Sequence, residues 1–229
     1  QSMIPAVVSD LKKNTVVPPE FYDCYPSLDK VEEFVLNAKT FAFDIETRGF
    51  TGDILCVGLC KERFKAIVVP FKGAYIPVLQ RLFQSCESVI GHNLIQFDLP
   101  VLSGNNVHLN SNAQIYDTQL MQHLLQPDLP HSLAFLATIF SNKPEWKEAN
   151  RGETGYWEMR CARDTDVTLQ CYEQLKPLLV QEQLMDLYKT VSVPMAKICR
   201  LMHETGFKVD TSRTTEMRER LTKEIQDEE

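Results

Sequence analysis

Two carboxylates stand two residues apart inside an otherwise apolar run, Phe41-Ala42-Phe43-Asp44-Ile45-Glu46-Thr47. The run reads as a buried β-strand. Strand side chains alternate faces, so Asp44 and Glu46 project side by side. Like charges that close repel, and they resist desolvation unless a cation lies between them. Hard oxygen donors on a short, rigid spacing suit Mg²⁺ or Mn²⁺. Acidic pairs at strand ends also occur as solvated surface, and this pair alone leaves both readings open.

Two further stretches carry acids in uncomfortable places. In Gly91-His92-Asn93-Leu94-Ile95-Gln96-Phe97-Asp98 the glycine permits a tight strand-to-helix turn and Asn93 is a good N-cap. Asp98 then falls inside a helix crowded by Leu94, Ile95, Phe97 and Leu99, where a charge has no packing role. His92, beside the turn, reads as a hydrogen-bonded structural residue, with a ligand or general base as the sharper alternative. In Arg160-Cys161-Ala162-Arg163-Asp164-Thr165-Asp166-Val167-Thr168, Asp164 shares a helical face with Arg160 and Thr168. Asp166 points roughly 200° away, so only one aspartate of the two can join a common site. Asp164 lies with Val167 and Cys171 on the inward face and is the candidate; Asp166 reads as a surface charge.

Bulk properties narrow the class. At 229 residues, 44% hydrophobic and 24% charged, the chain has room for one large domain, or for one domain plus a helical extension. No apolar run reaches the roughly 20 residues of a membrane span, and no secretory signal opens the chain; an intracellular setting is expected. The seven cysteines are odd in number and scattered, with no CxxC pair, so reduced thiols are expected and a zinc site is not. A net charge of −7 argues against broad binding along duplex DNA but not against a nuclease, whose metal-binding acids lower the charge themselves.

The elements that must position these acids follow from periodicity and turn signals. Residues 1–26 are a proline-rich, extended lead-in. Ser27 caps a helix over 28–38, where Leu28, Val31, Phe34 and Val35 form a stripe. Strands are expected at 40–46, 54–59 and 64–69, an antiparallel meander joined by short turns, with later short strands at 88–90 and 114–116. Helices are expected at 75–85, from near Asn93, from Asp117 or Thr118 to Leu125, over 132–140, and over 156–179. Residues 141–155 read as a polar loop. From Gln181 a long or Pro194-kinked helix ends at Gly206, and a charged helix fills 211–229 without an evident stop, which suggests truncation from something larger. The whole is a mixed α/β layer.

Taken together and in order, Asp44-x-Glu46, Asn93-x-x-x-Phe97-Asp98 and Asp164 resemble the three exonuclease motifs of the DEDD 3′–5′ exonuclease superfamily. The local wording, Asp-Ile-Glu-Thr, Gly-His-Asn-x-x-x-Phe-Asp and Ala-Arg-Asp-x-Asp-Val-Thr, is most similar to the proofreading domain of family A DNA polymerases. Asp117-Thr118 and His131-Ser132-Leu133 resemble connectors of that family, and the similarity spans about residues 38–180. Val193-Pro194-Met195 through Asp210 resembles the passage from exonuclease into polymerase domain. The resemblance implies an RNase H-like fold: residues 27–180 as the exonuclease domain and 181–229 as a helical linker toward a polymerase domain in the parent chain.

It also implies two Mg²⁺ or Mn²⁺ ions about 3.5–4 Å apart, one generating hydroxide and the other stabilising the leaving 3′ oxygen. Asp44 would serve both ions, Glu46 and Asp164 the hydroxide-generating one, and Asp98 the other through water. Thr47, Asn93 and Phe97 would contact the terminal nucleotide of single-stranded DNA, and Phe50 would stack or wedge against a base. One position departs from the pattern. The family places tyrosine four residues, or histidine five, before the third aspartate, where this chain has Arg160 and Met159. Arginine stays protonated and cannot act as a general base, though it can hold a phosphate oxygen bidentately. A weakened exonuclease is therefore expected. The alternatives are an RNase D-like RNA 3′ exonuclease and a catalytically silent module that braces a polymerase or binds a partner.

Overall fold

The computed structural model describes residues 20–49, 52–141 and 153–228. Phe50 and most of the expected 141–155 loop lie outside them. By packing, the chain divides into two compact units, one up to Lys197 and one over Ile198–Glu229.

The first unit is built on a five-stranded mixed sheet in the order β3-β2-β1-β4-β5. Its strands are β1 (Thr40–Thr47), β2 (Ile54–Glu62), β3 (Lys65–Pro70), β4 (Ser88–Gly91) and β5 (Gln114–Asp117). The first three form the expected antiparallel meander; β4 and β5 run parallel to β1. Residues 21–23 extend along the β3 edge, where Phe21 N–H donates to Phe64 O and Asp23 N–H to Ala66 O. That covers backbone groups an edge strand would otherwise expose.

Strand alternation divides β1 between two cores. Phe41, Phe43 and Ile45 face α1 (Leu28–Asn37) and α2 (Tyr75–Ser85), and the Phe41 and Phe43 rings meet Phe83 edge-on at 5.5 and 5.0 Å. Ala42 belongs to the opposite core, under the long helix α6 (Tyr156–Gln181), so Asp44 and Glu46, in step with it, also face that side.

Gly58 lets α6 lie close. It pairs with Asp44 across the β1–β2 ladder, and a Cβ there would stand 2.2 Å from Thr165 Oγ1 and 3.0 Å from Cys161 O. Gly58→Ala is expected to cost about 1–3 kcal/mol in urea unfolding, the usual range for overpacking. It should also displace Asp164, which α6 carries.

Two expectations are corrected. The helix foreseen from Asn93 begins instead at Asp98, as α3 (Asp98–Gly104). Residues 92–97 are turns, with Asn93 at φ 60° rather than capping. Pro100 explains the shift, since it has no N–H to donate and suits a first turn better than an interior. Asp98 is thus the first residue of a helix, not an interior one.

Asp166, read as a surface charge, is fully buried; it accepts hydrogen bonds from Tyr22 Oη (2.6 Å) and Phe64 N–H (2.8 Å). A helix flanked by the sheet and by α4 (Thr118–Leu125) and α5 (Leu133–Phe140) buries more than one face. Beyond α6 the first of the two readings holds: one long helix runs over residues 185–205, with a π-helical turn at Tyr188–Ser192 ahead of α7 (Val193–Thr205). The slip in register falls just before the proline, whose missing N–H an unbroken helix would use.

In the second unit Gly206, at φ 61°, ends α7, and α8 spans Thr211–Glu228. None of its described residues is buried. All seven cysteines are free thiols, as expected.

Candidate nuclease active site

β1 delivers the first two acids. Asp44 is half-buried and Glu46 is 8% exposed. The β1–β2 register slips between Glu46 and Thr47, an irregularity that bends a strand end and re-aims its side chains. Cys161, on α6, donates its S–H to the carbonyl of Asp44 at 3.6 Å, tying helix to strand. One turn further along α6, Asp164 is 5% exposed and turned to the same point. Oxygens of Asp44, Glu46 and Asp164 lie within 4.8 Å of one another. Three buried or half-buried carboxylates that close form a donor set for a hard divalent cation.

Asp98 completes the quartet from the other side. It is 4% exposed, lines the same cavity of about 470 Å³, and accepts a hydrogen bond from Ile45 N–H at 3.2 Å. Burial pushes its carboxyl up to about 7; hydrogen bonds from the Ile45 and Asp98 amides oppose this, and repulsion from Asp117 and Glu46 adds to it. The cavity is also lined by Thr47, Asn93, Phe97, His92 and Arg160. Every residue foreseen for the site therefore meets there except Phe50, which lies outside the described residues.

Arg160 lies among the acids. Its Nε is 3.1 Å from Glu46 Oε1 and 3.7 Å from Asp164 Oδ2, and its guanidinium carbon is 5.5 Å from the Trp157 ring centroid. Yet Nε makes no hydrogen bond, so the 3.1 Å approach is an ion pair held by charge rather than by direction. His92 Nδ1 lies 2.9 Å from Thr118 Oγ1, and the residue also lines the cavity.

The residue whose part sequence reasoning underrated is Asp117. Read as a cap for α4, it does accept from Gln119 and Leu120 N–H, but its carboxylate also accepts from Asn93 N–H (3.0 Å) and Ile95 N–H (3.5 Å). It thereby holds the turn that leads to Phe97 and Asp98. Tyr188, fully buried, supports it in turn: Tyr188 Oη accepts from Asp117 N–H and donates to Ile115 O. An acid at a strand end before a helix is visible in sequence; its second set of partners, more than 20 residues away, is not.

The sheet and helices thus gather four acids in one cavity, three of them close enough to share a divalent ion. The sequence matches the 3′–5′ exonuclease family over residues 19–180, and the chain belongs to that family, within the DEDD exonuclease superfamily. No curated protein sequence matches it.

Solved structures share the RNase H-like α/β fold. NrnC from Brucella melitensis is 17% identical, with 85% of this chain and 98% of that chain covered and a TM-score of 0.57. The catalytic core of RRP6 from Trypanosoma brucei is 20% identical (75% and 50% covered, TM-score 0.54). The POL domain of Pol1 from M. smegmatis, in complex with DNA primer-template and dNTP, is 12% identical with a TM-score of 0.68. In that pair 90% of this chain is covered, which is 36% of the other. No described helix is long and apolar enough to cross a membrane.

Proposed function

We propose that this chain is the proofreading exonuclease domain of a family A-like DNA polymerase, removing nucleotides from single-stranded DNA 3′ ends. Residues 27–180 would be the exonuclease domain, residues 1–26 its lead-in, and 181–229 the linker toward a polymerase domain. The observation that carries the nuclease chemistry is the meeting of Asp44, Glu46 and Asp164 within 4.8 Å, with Asp98 lining the same cavity. The motif wording and the fold shared with a polymerase chain support the DNA-directed part of the reading.

The donor set is all carboxylate and fits Mg²⁺ or Mn²⁺. Asp44, Glu46 and Asp164 would hold one ion, with Asp44 and Asp98 contributing to a second. When bound, such ions supply a nucleophile at neutral pH and charge neutralisation at the leaving 3′ oxygen. The chain's own residues do the rest. Phe97, 42% exposed at the cavity, offers a ring on which the terminal base stacks. Thr47 and Asn93 flank it with polar groups for the terminal nucleotide.

Arg160 stays protonated and takes no proton from water. Without a tyrosine in that place, turnover should be about 10²–10⁴-fold below that of a site with a well-placed orienting group. The test is parallel digestion of single-stranded DNA and RNA oligonucleotides labelled at the 5′ end, with Mg²⁺, with Mn²⁺ and with EDTA. A slow, metal-dependent ladder shortening from the 3′ end of DNA is expected. Shortening of RNA alone would favour the RNase D-like alternative, and no product at enzyme excess would favour a silent module.

A further inference from the structure

Arg160 is where this chain departs from the pattern of its motifs, and its position says what the departure does. Glu46 and Asp164 are nearly buried, and carboxylates so desolvated need a cation beside them. The Arg160 side chain, 30% exposed, supplies one, 3.1 Å from the first and 3.7 Å from the second. Those two residues are also two of the three whose oxygens could share one ion. We propose that Arg160 is a built-in counter-cation that competes with the divalent ion for Glu46 and Asp164, so that the site takes up metal only as the guanidinium gives way. This rests on the metal-dependent reading above and adds a control on loading to it.

Two details favour an exchangeable contact over a fixed structural pair. The buried Nε, the guanidinium atom 3.1 Å from Glu46, makes no hydrogen bond, so at that atom the contact is held by charge and not by an aligned N–H···O bond. The Trp157 ring already lies 5.5 Å from the guanidinium carbon, an aromatic face on which a displaced guanidinium can rest. From there Arg160 still faces the cavity and can meet a phosphate of the DNA strand. A tyrosine at this position would offer neither the charge nor the competition.

The experiment is calorimetric titration of the full chain with Mn²⁺ at pH 8, wild type against Arg160→Gln, with thermal melts in EDTA alongside. Arg160→Gln is expected to bind Mn²⁺ about tenfold or more tightly, the scale of a typical coupling between two bound charges. Its melting temperature in EDTA should fall by about 5 °C and recover on adding Mn²⁺. Equal or weaker Mn²⁺ affinity in a folded Arg160→Gln overturns the proposal while leaving the metal-dependent reading intact. Failure of both chains to bind Mn²⁺ overturns both.

Should Arg160→Gln not fold, the wild type supplies an independent readout. The Nε–H resonance of Arg160 in an NMR spectrum must move on saturation with Mg²⁺. A resonance that stays in place overturns the proposal.

Discussion

Asp44→Asn is expected to lower the rate of 3′ nucleotide release by about 10³-fold or more at saturating Mg²⁺, with little change in stability. The side chain belongs to the three-carboxylate cluster, so losing its charge weakens ion binding directly. Volume and shape are kept. Two contacts that fasten this part of β1 are made by backbone: the pairing of Asp44 with Gly58 and the Cys161 S–H donated to its carbonyl. Neither depends on the carboxylate, so the melting temperature in EDTA should stay within about 2 °C of wild type or rise slightly as repulsion is relieved. Single-turnover digestion of labelled single-stranded DNA reads the rate, and a Mn²⁺ titration reads the site. Retention of more than a tenth of the wild-type rate would remove Asp44 from the chemistry.

How much of this was readable beforehand differs residue by residue. The side-by-side projection of Asp44 and Glu46 follows from strand alternation, a local rule, and needs no tertiary information. Asp164 follows from helical phase for the same reason. The same phase argument failed for Asp166. It can say that two residues point apart but not that both directions are covered, and here the tip of the β2–β3 hairpin and Tyr22 receive the second aspartate. The late start of α3 was legible in Pro100 and was overridden by the attractive cap at Asn93. Arg160 shows the limit most clearly. Its i,i+4 contact with Asp164 is written in the sequence, whereas its shorter contact with Glu46 joins residues more than 100 apart and exists only once α6 lies on β1. That second contact turns an ordinary helical ion pair into a cation inside the candidate metal centre.

Asp98→Asn should separate stability from activity in opposite directions. Burial pushes the Asp98 carboxyl from 3.8 up to about 7, and burial likewise pushes Asp117 up to about 6. An acid with a raised folded-state value holds its proton in the folded chain over a range where the unfolded chain has released it. Stability therefore falls as pH rises from about 4 to 7 and levels off above that. For Asp98 the loss is on the order of a few kcal/mol.

The Asn amide keeps an oxygen to accept from Ile45 N–H and cannot ionise, so it avoids this loss. It does bury an extra N–H₂ group, which costs about 1–3 kcal/mol if unpartnered. In EDTA at pH 8, urea unfolding should find Asp98→Asn more stable than wild type by about 1–2 kcal/mol. At pH 5 the order should reverse, because the folded wild type then keeps its proton and most of its loss has not yet occurred, which leaves the amide cost the larger of the two.

Mg²⁺ should recover stability in the wild type at pH 8; at pH 6, where the folded carboxyl still holds its proton, binding should also release a proton, since the ion favours the charged carboxylate. The variant should gain less and release none from this position, while its nuclease rate drops. A wild type whose metal-free stability is flat from pH 5 to 8 would mean that Asp98 is already ionised within the fold. In that case the cavity would be far more hydrated around α3 than its 4% exposure indicates. The expected slope has a functional sense: a carboxyl that costs stability while it waits, charged and buried, for a cation is retained for what it does once the cation arrives.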